Sequence, residues 1–486
     1  MSELLNVLKI VAVIAILGGG VITAVTFLNA ARLPKPKKYE PNGAEQPDRD
    51  FSVRAAKNLS ELIKYQTVSV RTGEDYSNFT RLADYLRRHY PQTHRTMTRE
   101  IVGKHSLLYH WKAQGEASGE PILFCAHMDV VPAEGSWDHD PFSGDIYAGS
   151  VWGRGAIDCK NIVCCLMEAA ESLVIEGFSP KRDVYFAFGH DEELGGPDGA
   201  YRIAALLHER RISFHMVLDE GMPLARGILG VRKPTARVAV TEKGAMNIKI
   251  TAFGKSGHSS TPPRHSAIGV LADAISLVEF SQMPPKMTPV VREFFKRMAP
   301  HTHGGMRYRL ANLPLFGKSV IKALSRKAEY NALFRTTVAS TVVGGGIAHN
   351  ILPESAKAIF NARLIHGDAC RDMTAYVKSV TRNLDVSVET LLMNEASRVS
   401  DYSGAAFTSL EAAIHETFGD VVVTPYVMSM ATDARKYEQL SGAVFRFSPF
   451  ELTNDEAETM HSVNEHIRIE LLGKAISFYK KLITDI

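Results

Sequence analysis

The chain has 486 residues, 45% of them hydrophobic, and its 56 basic and 53 acidic side chains leave a formal charge of +3. That length exceeds one ordinary domain and predicts two folded units, while the near-neutral charge excludes a protein organised around nucleic acid. Five cysteines, with no Cys-x-x-Cys pair, exclude a disulfide framework and a thiolate zinc site.

Residues 1–9 form a short tail. Residues 10–28 are a 19-residue run without charge, about 28 Å long as a helix and sufficient to span a bilayer. A retained single-pass anchor is the expectation. A cleaved signal peptide is the alternative, although its apolar core would run only ~7–15 residues. With an anchor the catalytic portion is expected on the membrane, outside the cytoplasm; with cleavage the protein is secreted. Arg32, Lys35, Lys37 and Lys38 oppose that orientation, because basic residues beside a span favour the cytoplasmic side. A proline-bearing linker fills residues 29–50.

From residue 51 the pattern is globular. Amphipathic helices are predicted over 51–65 and 78–90, and strands over 107–111 and 121–126. A helix over 158–176, a strand ending at Phe188, a helix over 199–210 and a strand ending at Leu218 follow. Strands alternating with helices predict an α/β fold, a mainly parallel sheet with helices on both faces, for residues 51–237. Residues 238–394 read as an inserted α+β lid or dimerisation domain. Its strands are predicted at 246–253, 359–365 and 386–392, and its helices at 266–280 and 368–384. An irregular, proline-bearing stretch, 284–337, interrupts it. Residues 395–486 return to the first pattern and end in a helix over 466–484, so the catalytic domain is split around the insert.

Three apolar runs end in polar residues of one kind. The run 184–188 leads into Gly189-His190-Asp191-Glu192-Glu193-Leu194-Gly195-Gly196, the run 121–126 into His127-Met128-Asp129, and the run 215–218 into Asp219-Glu220. Buried parallel strands deliver such residues to the carboxyl rim of a sheet, where open α/β folds place their chemistry. A glycine-loosened turn, Trp152-Gly153-Arg154-Gly155-Ala156-Ile157-Asp158, adds another carboxylate. One histidine with several carboxylates is the inventory of a two-metal hydrolase. Blander readings exist for most of these residues: Asp158 as a helix cap, Asp129 as a turn residue, Asp219 as a cap after its strand, and His461 as a loop histidine. Glu192 and Glu193 resist one, since adjacent carboxylates repel unless cations hold them.

The ordered set CAHMDVVP, GRGAIDCKN, GHDEELGG, VLDEG, SGHSSTPP, HNILPE, TDAR and MHSVNE resembles the co-catalytic zinc amidohydrolases and metallopeptidases. That family includes aminoacylase and glutamate carboxypeptidase. The likeness is strongest to its carboxypeptidase S and N-fatty-acyl-amino-acid synthase/hydrolase branch, and it runs from residue 51 to the C-terminus. The resemblance implies two Zn2+ ions, although cobalt or manganese also suits such sites. It implies that His127 and Asp219 bind one ion, that Glu193 and His461 bind the other, and that Asp158 bridges them. Asp129 would orient His127, and Glu192 would act as general base. His258 would polarise the scissile carbonyl, in many relatives from across a dimer, so a homodimer through the inserted domain is implied. Asn350 would contact substrate, and Arg363 and Arg435 would hold its carboxylate in bidentate fashion. Surface salt bridging is the bland reading of both arginines. One departure is that Ser429-Met430-Ala431-Thr432, before Asp433, lacks a glycine many relatives carry there.

The activity so implied is hydrolysis of the amide joining an acyl or peptidyl group to a C-terminal amino acid, on a small peptide or an N-acyl amino acid. An apolar insert and an anchor hint at an apolar acyl group, and an insert that merely covers a dimer interface explains the same composition. An aminopeptidase or dipeptidase of the same family is the enzymatic alternative, but a free amino group would need an acidic anchor. A catalytically inactive, membrane-anchored binding protein is the third reading. The presence of all five ligands and of Glu192 argues against it.

Overall fold

The computed structural model describes residues 2–39, 49–70, 76–115 and 117–485. Its centre is an eight-stranded sheet. In spatial order the strands are Thr98–Val102, Ser106–Trp111, Val184–Gly189, Ile122–His127, Met216–Leu224, Val444–Glu451, Thr235–Glu242 and Val422–Met428. Ile122–His127 lies between Val184–Gly189 and Met216–Leu224 and is parallel to both. The three apolar runs that end in polar residues are therefore neighbours, and their carboxyl ends open on one rim.

The period of two in these strands accounts for the layers. Ile122, Phe124, Ala126, Phe186 and Phe188 share one core with the helices Arg49–Ile63, Lys160–Ile175 and Ile469–Asp485. Leu123, Cys125, Tyr185 and Ala187 point the other way, into a second core with Ile203 and Leu207 of the helix Ala200–Glu209. Burial on both faces is what makes such strands read as continuous apolar runs. All five cysteines are free and buried, as packing residues are.

The sheet is parallel in its middle and departs from that at three pairings, one of them Ser106–Trp111 against Val184–Gly189. Thr98–Val102 and Ser106–Trp111 form a hairpin closed by residues 103–105, and so short a connection permits only antiparallel pairing. Gly103 makes that turn at φ +65°, where a Cβ would lie 2.1 Å from the Asp198 carbonyl oxygen. Val444–Glu451 also meets Thr235–Glu242 in antiparallel fashion.

A second, four-stranded antiparallel sheet holds Thr337–Gly345, Ser355–Leu364, Gly244–Phe253 and Val386–Asn394 in that order. Gly244–Phe253 alternates buried and half-buried residues, and its buried face packs with the helices Ala267–Phe280 and Cys370–Val380. Residues 284–337, irregular by sequence, are helical: Pro289–Met298, Gly304–Ala311, Leu313–Leu324 and Ala328–Phe334. The prolines that obscured the pattern start helices. Pro289 follows Thr288, whose side chain accepts from the Val291 N–H, and Pro314 lies in the first turn of its helix. Phe294, Phe295 and Phe334 are fully buried in the core of the large sheet, not the small one. Packing thus attaches this segment to the edge strand Val422–Met428 and protects that edge.

The apolar run 10–28 lies within the helix Ser2–Ala31. Most side chains of its first half, and linker residues 40–48, lie outside the described residues. Among the described residues no helix is long and apolar enough to cross a membrane.

Truncating Phe295 to alanine is expected to destabilise the large sheet by about 3–5 kcal/mol, the usual loss for a buried phenylalanine. Urea unfolding followed by tryptophan fluorescence would measure it, and a loss under about 1 kcal/mol would contradict this packing.

Candidate active site

At the rim, the Asp158 carboxylate is shared between two imidazoles. Its Oδ1 is 2.9 Å from His127 Nε2 and its Oδ2 is 2.9 Å from His461 Nε2. Each imidazole nitrogen has a second carboxylate: Glu220 Oε1 at 3.4 Å from His127 and Glu193 Oε1 at 3.3 Å from His461. Two groups result, His127–Asp158–Glu220 with Cys159, and Asp158–Glu193–His461. Within each, the ligand atoms lie no more than 4.8 Å apart.

Asp129 organises one side of this arrangement. Its fully buried carboxylate accepts hydrogen bonds from the Glu192 N–H (3.1 Å), the Glu193 N–H (3.1 Å) and Ser69 Oγ (2.8 Å). His127 Nδ1 lies 2.9 Å from the Asp129 carbonyl oxygen and 3.4 Å from its Oδ1. A proton on Nδ1 satisfies both contacts and leaves the Nε2 lone pair aimed at Asp158 and Glu220. A lone pair facing two carboxylates is unfavourable unless a cation stands between them.

Glu465 does the same work for Asp158. It is fully buried, accepts from the N–H groups of Gly155 (3.1 Å), Ile157 (2.7 Å) and Asp158 (3.2 Å), and pairs with Arg154 at 2.6 Å. One segment thus supplies His461 and, four residues on, fastens the loop of the bridging carboxylate. His461 itself has φ +58°, a left-handed conformation uncommon outside glycine. The sequence reading gave Glu465 no role. Its signal was its place in MHSVNE, because a lone buried carboxylate leaves no periodic pattern.

The donor set fits metal ions. Glu193 Oε1 is buried without a hydrogen-bond partner. Burial, reinforced by the Asp158 charge, pushes Glu220 up to about 8. Hydrogen bonding to Asp158, with the Glu193 carboxylate beside it, raises His461 to about 10. Burial, opposed by His127 and reinforced by Asp433, Glu220 and Asp129, holds Glu192 well above the ordinary carboxylate range. Without a metal, these groups retain protons to offset crowded negative charge. Cys159 Sγ accepts from the His127 N–H at 3.2 Å, and burial keeps its thiol protonated, which suits a packing role.

Asp219 stands elsewhere than expected. Its Oδ1 accepts from the Glu220 N–H (2.9 Å) and its Oδ2 from the Ala434 N–H (2.6 Å), while Glu220 reaches His127. Neighbours in a strand point to opposite sides, and Glu220 rather than Asp219 faces His127.

The expected substrate residues fall in two places. His258, on the short strand Gly257–His258, pairs with Ile351, and the Asn350 carbonyl accepts from the Ser259 N–H at 3.1 Å. The Ser260 N–H donates to His258 Nδ1 at 3.1 Å, so the neutral ring carries its proton on Nε2. Both residues are exposed, and no hydrogen bond or ion pair among the described residues joins them to the rim. Arg363 and Arg435 lie at the junction of the two sheets. Arg363 faces Ala245 in register and donates to Asn361 Oδ1 (3.1 Å), whereas Arg435 donates to the Glu395 carbonyl (2.7 Å). Neither pairs with a carboxylate among the described residues.

Replacing Glu220 with glutamine is expected to lower bound metal to about one ion per chain, whereas Asp219→Asn retains two; metal analysis after gel filtration separates the outcomes. The pKa shifts also set a pH dependence for metal-free protein. Stabilisation from His461 is complete below pH 6.5 and lost as pH rises through about 10, and raised Glu220 disfavours the fold from 4.5 up through about 8. Both run in one direction, so the melting temperature of metal-free protein falls with rising pH, and its gap below the metal-loaded protein widens. Parallel curves would contradict the charge crowding.

The profile of peptidase family M20/M25/M40 matches residues 123–485. Probable carboxypeptidase S-like 2 of Dictyostelium discoideum is 34% identical over 99% of this chain and 94% of its own length. The N-fatty-acyl-amino acid synthase/hydrolase PM20D1 of Mus musculus is 32% identical over 93% of this chain and 92% of its own. The fold matches the M20 family metallo-carboxypeptidase Sso-CP2 from Sulfolobus solfataricus with a TM-score of 0.63 at 17% identity, covering 88% of this chain and 98% of that one. The chain belongs to peptidase family M20/M25/M40.

Proposed function

We propose that the chain is a two-zinc amidohydrolase that cleaves the amide between an acyl or peptidyl group and a C-terminal amino acid. One observation carries this reading: Asp158 shared between two histidine–carboxylate pairs, with Glu192 beside them. His127, Glu220, Asp158, Glu193 and His461 would hold the ions. Bound zinc supplies Lewis acidity, lowering the pKa of a water and polarising a carbonyl.

The remaining work falls to the chain's own groups. Glu192 takes a proton from the attacking water and returns it to the leaving amine; its raised pKa suits both transfers. Asp129 fixes the backbone on which Glu192 rides. His258 presents an exposed Nε2–H, a donor suited to the carbonyl oxygen as charge develops there. Its separation from the rim supports either closure of the smaller sheet or supply from a second copy, as in a homodimer. Arg363 and Arg435, free of carboxylate partners, suit the carboxylate of the product amino acid. The N-fatty-acyl-amino acid named for one relative carries that group.

With zinc restored, a long-chain N-acyl-leucine, a blocked dipeptide and a free dipeptide would be compared as substrates. Turnover of either blocked substrate, with the free dipeptide poor, is expected; a preference for the free dipeptide would replace this reading with an aminopeptidase or dipeptidase. Glu192→Gln is expected to lower kcat about 10²–10⁴-fold with both metals retained. Arg363→Ala should raise KM for the acid substrate and leave its C-terminal amide analogue unaffected. Equal effects on both would refute carboxylate recognition.

A further inference from the structure

Between Phe294 and Ala328 the chain carries eight basic residues and no acidic one. Lys296 and Arg297 are paired, with Glu293 and, for Arg297, Glu411. Arg309, Lys318, Lys322, Arg326 and Lys327 are exposed and form no ion pair among the described residues. They decorate the helices Gly304–Ala311 and Leu313–Leu324 and the turn that follows.

The helix Ser2–Ala31 is fastened to this same surface by polar contacts. Thr26 Oγ1 and Tyr308 OH share a hydrogen bond of 2.6 Å, Asn29 Nδ2 donates to Asn312 Oδ1 at 2.9 Å, and Asn312 Nδ2 donates to the Thr26 carbonyl at 3.0 Å. The Phe27 and Tyr308 rings pack 5.1 Å apart. Beyond Thr26 the helix is apolar on more than one side: Leu17, Val21, Ile22, Val25, Phe27 and Leu28 are each 48–65% exposed. Leu315, on the docked helices, is 56% exposed. Four more exposed basic residues, Arg32, Lys35, Lys37 and Lys38, follow the helix.

An exposed apolar helix bonded beside a surface of one sign of charge is a poor match to water. It is also a poor match to a second copy of itself, because two such basic surfaces repel. Acyl chains below anionic headgroups complement both parts of it. We infer that the Ser2–Ala31 helix and the helices Gly304–Ala311 and Leu313–Leu324 together form a platform that seats the protein on an anionic lipid bilayer. The exposed apolar side chains of the N-terminal helix lie among the acyl chains, and the five unpaired basic side chains reach the headgroup phosphates. The Thr26–Tyr308 and Asn29–Asn312 bonds hold both parts at one height, so the insert is a second lipid contact beside the N-terminal helix. This goes beyond the hydrolase reading and does not rest on it.

Flotation of the full chain with phosphatidylcholine vesicles, alone or with phosphatidylserine, tests the platform against the triple variant Lys318→Glu/Lys322→Glu/Arg326→Glu. Wild type should partition more strongly to the anionic vesicles, with the gain shrinking as salt is raised. Each basic residue near such a surface contributes about fivefold, so removing three costs about 100-fold, and the variant, which adds repulsion, should lose more than that of the anionic partition and keep its neutral one. A glutamine triple should show a smaller loss in the same direction. Thermal melting, not turnover, verifies folding, so failure of the hydrolase reading leaves this test intact. Equal anionic binding by wild type and variant, or no lipid preference in wild type, would overturn the inference. So would reduced self-association with unchanged vesicle binding, which would assign the face to a second copy.

Discussion

Crowded negative charge is the constraint on which the rest of the site depends. Asp158, Glu192, Glu193 and Glu220 converge with only two imidazoles among them, and burial disfavours their charged forms further. Such a cluster persists only with protons or cations to neutralise it, and Asp158 stands between the two imidazoles, one oxygen to each histidine. Asp129 and Glu465 then act as clamps. The first holds the backbone of Glu192 and Glu193; the second holds the loop of Asp158. Both use a buried carboxylate against several N–H donors, a strong and directional arrangement. The loops at the rim are thereby held by charge-assisted bonds from the protein itself.

The sheet explains why these loops meet. Three parallel strands, side by side, end at the same level, and the chain leaves each of them with its polar residues at the rim. That much was legible in the sequence, because strands buried on both faces are short apolar runs and their ends are abrupt. The choice between Asp219 and Glu220 was not legible in the same way. Two acids in succession on one strand differ only in which side they face, and the side depends on register with Ile122–His127 and on the Ala434 N–H that captures Asp219. Residues 284–337 were obscured by prolines that read as breakers but lie in first turns. The hairpin strand Thr98–Val102 was missed because only Val102 of it is buried and it carries no apolar run.

Between the two sheets lies the functional tension of the molecule. The rim groups come from the large sheet, whereas His258 and Asn350 ride on a small ribbon of the other unit. Arg363 and Arg435 sit where the units join, bonded to Asn361 and Glu395. A junction that binds carboxylate while the ribbon supplies a carbonyl donor would couple substrate length to the meeting of the units. Residues 284–337 add a different coupling, since their helices cover the edge of the large sheet and also receive the N-terminal helix. Protection of the main sheet and reception of the N-terminal helix thus fall to successive helices of one segment.

The most direct test of the two-metal account is anomalous diffraction at the zinc edge from crystals grown with zinc. The account predicts two peaks, one on each side of Asp158 and about 3.5–4 Å apart, with a Glu220 oxygen about 2.0–2.2 Å from the ion on His127. A single peak, or Asp219 in place of Glu220 at that distance, would contradict it.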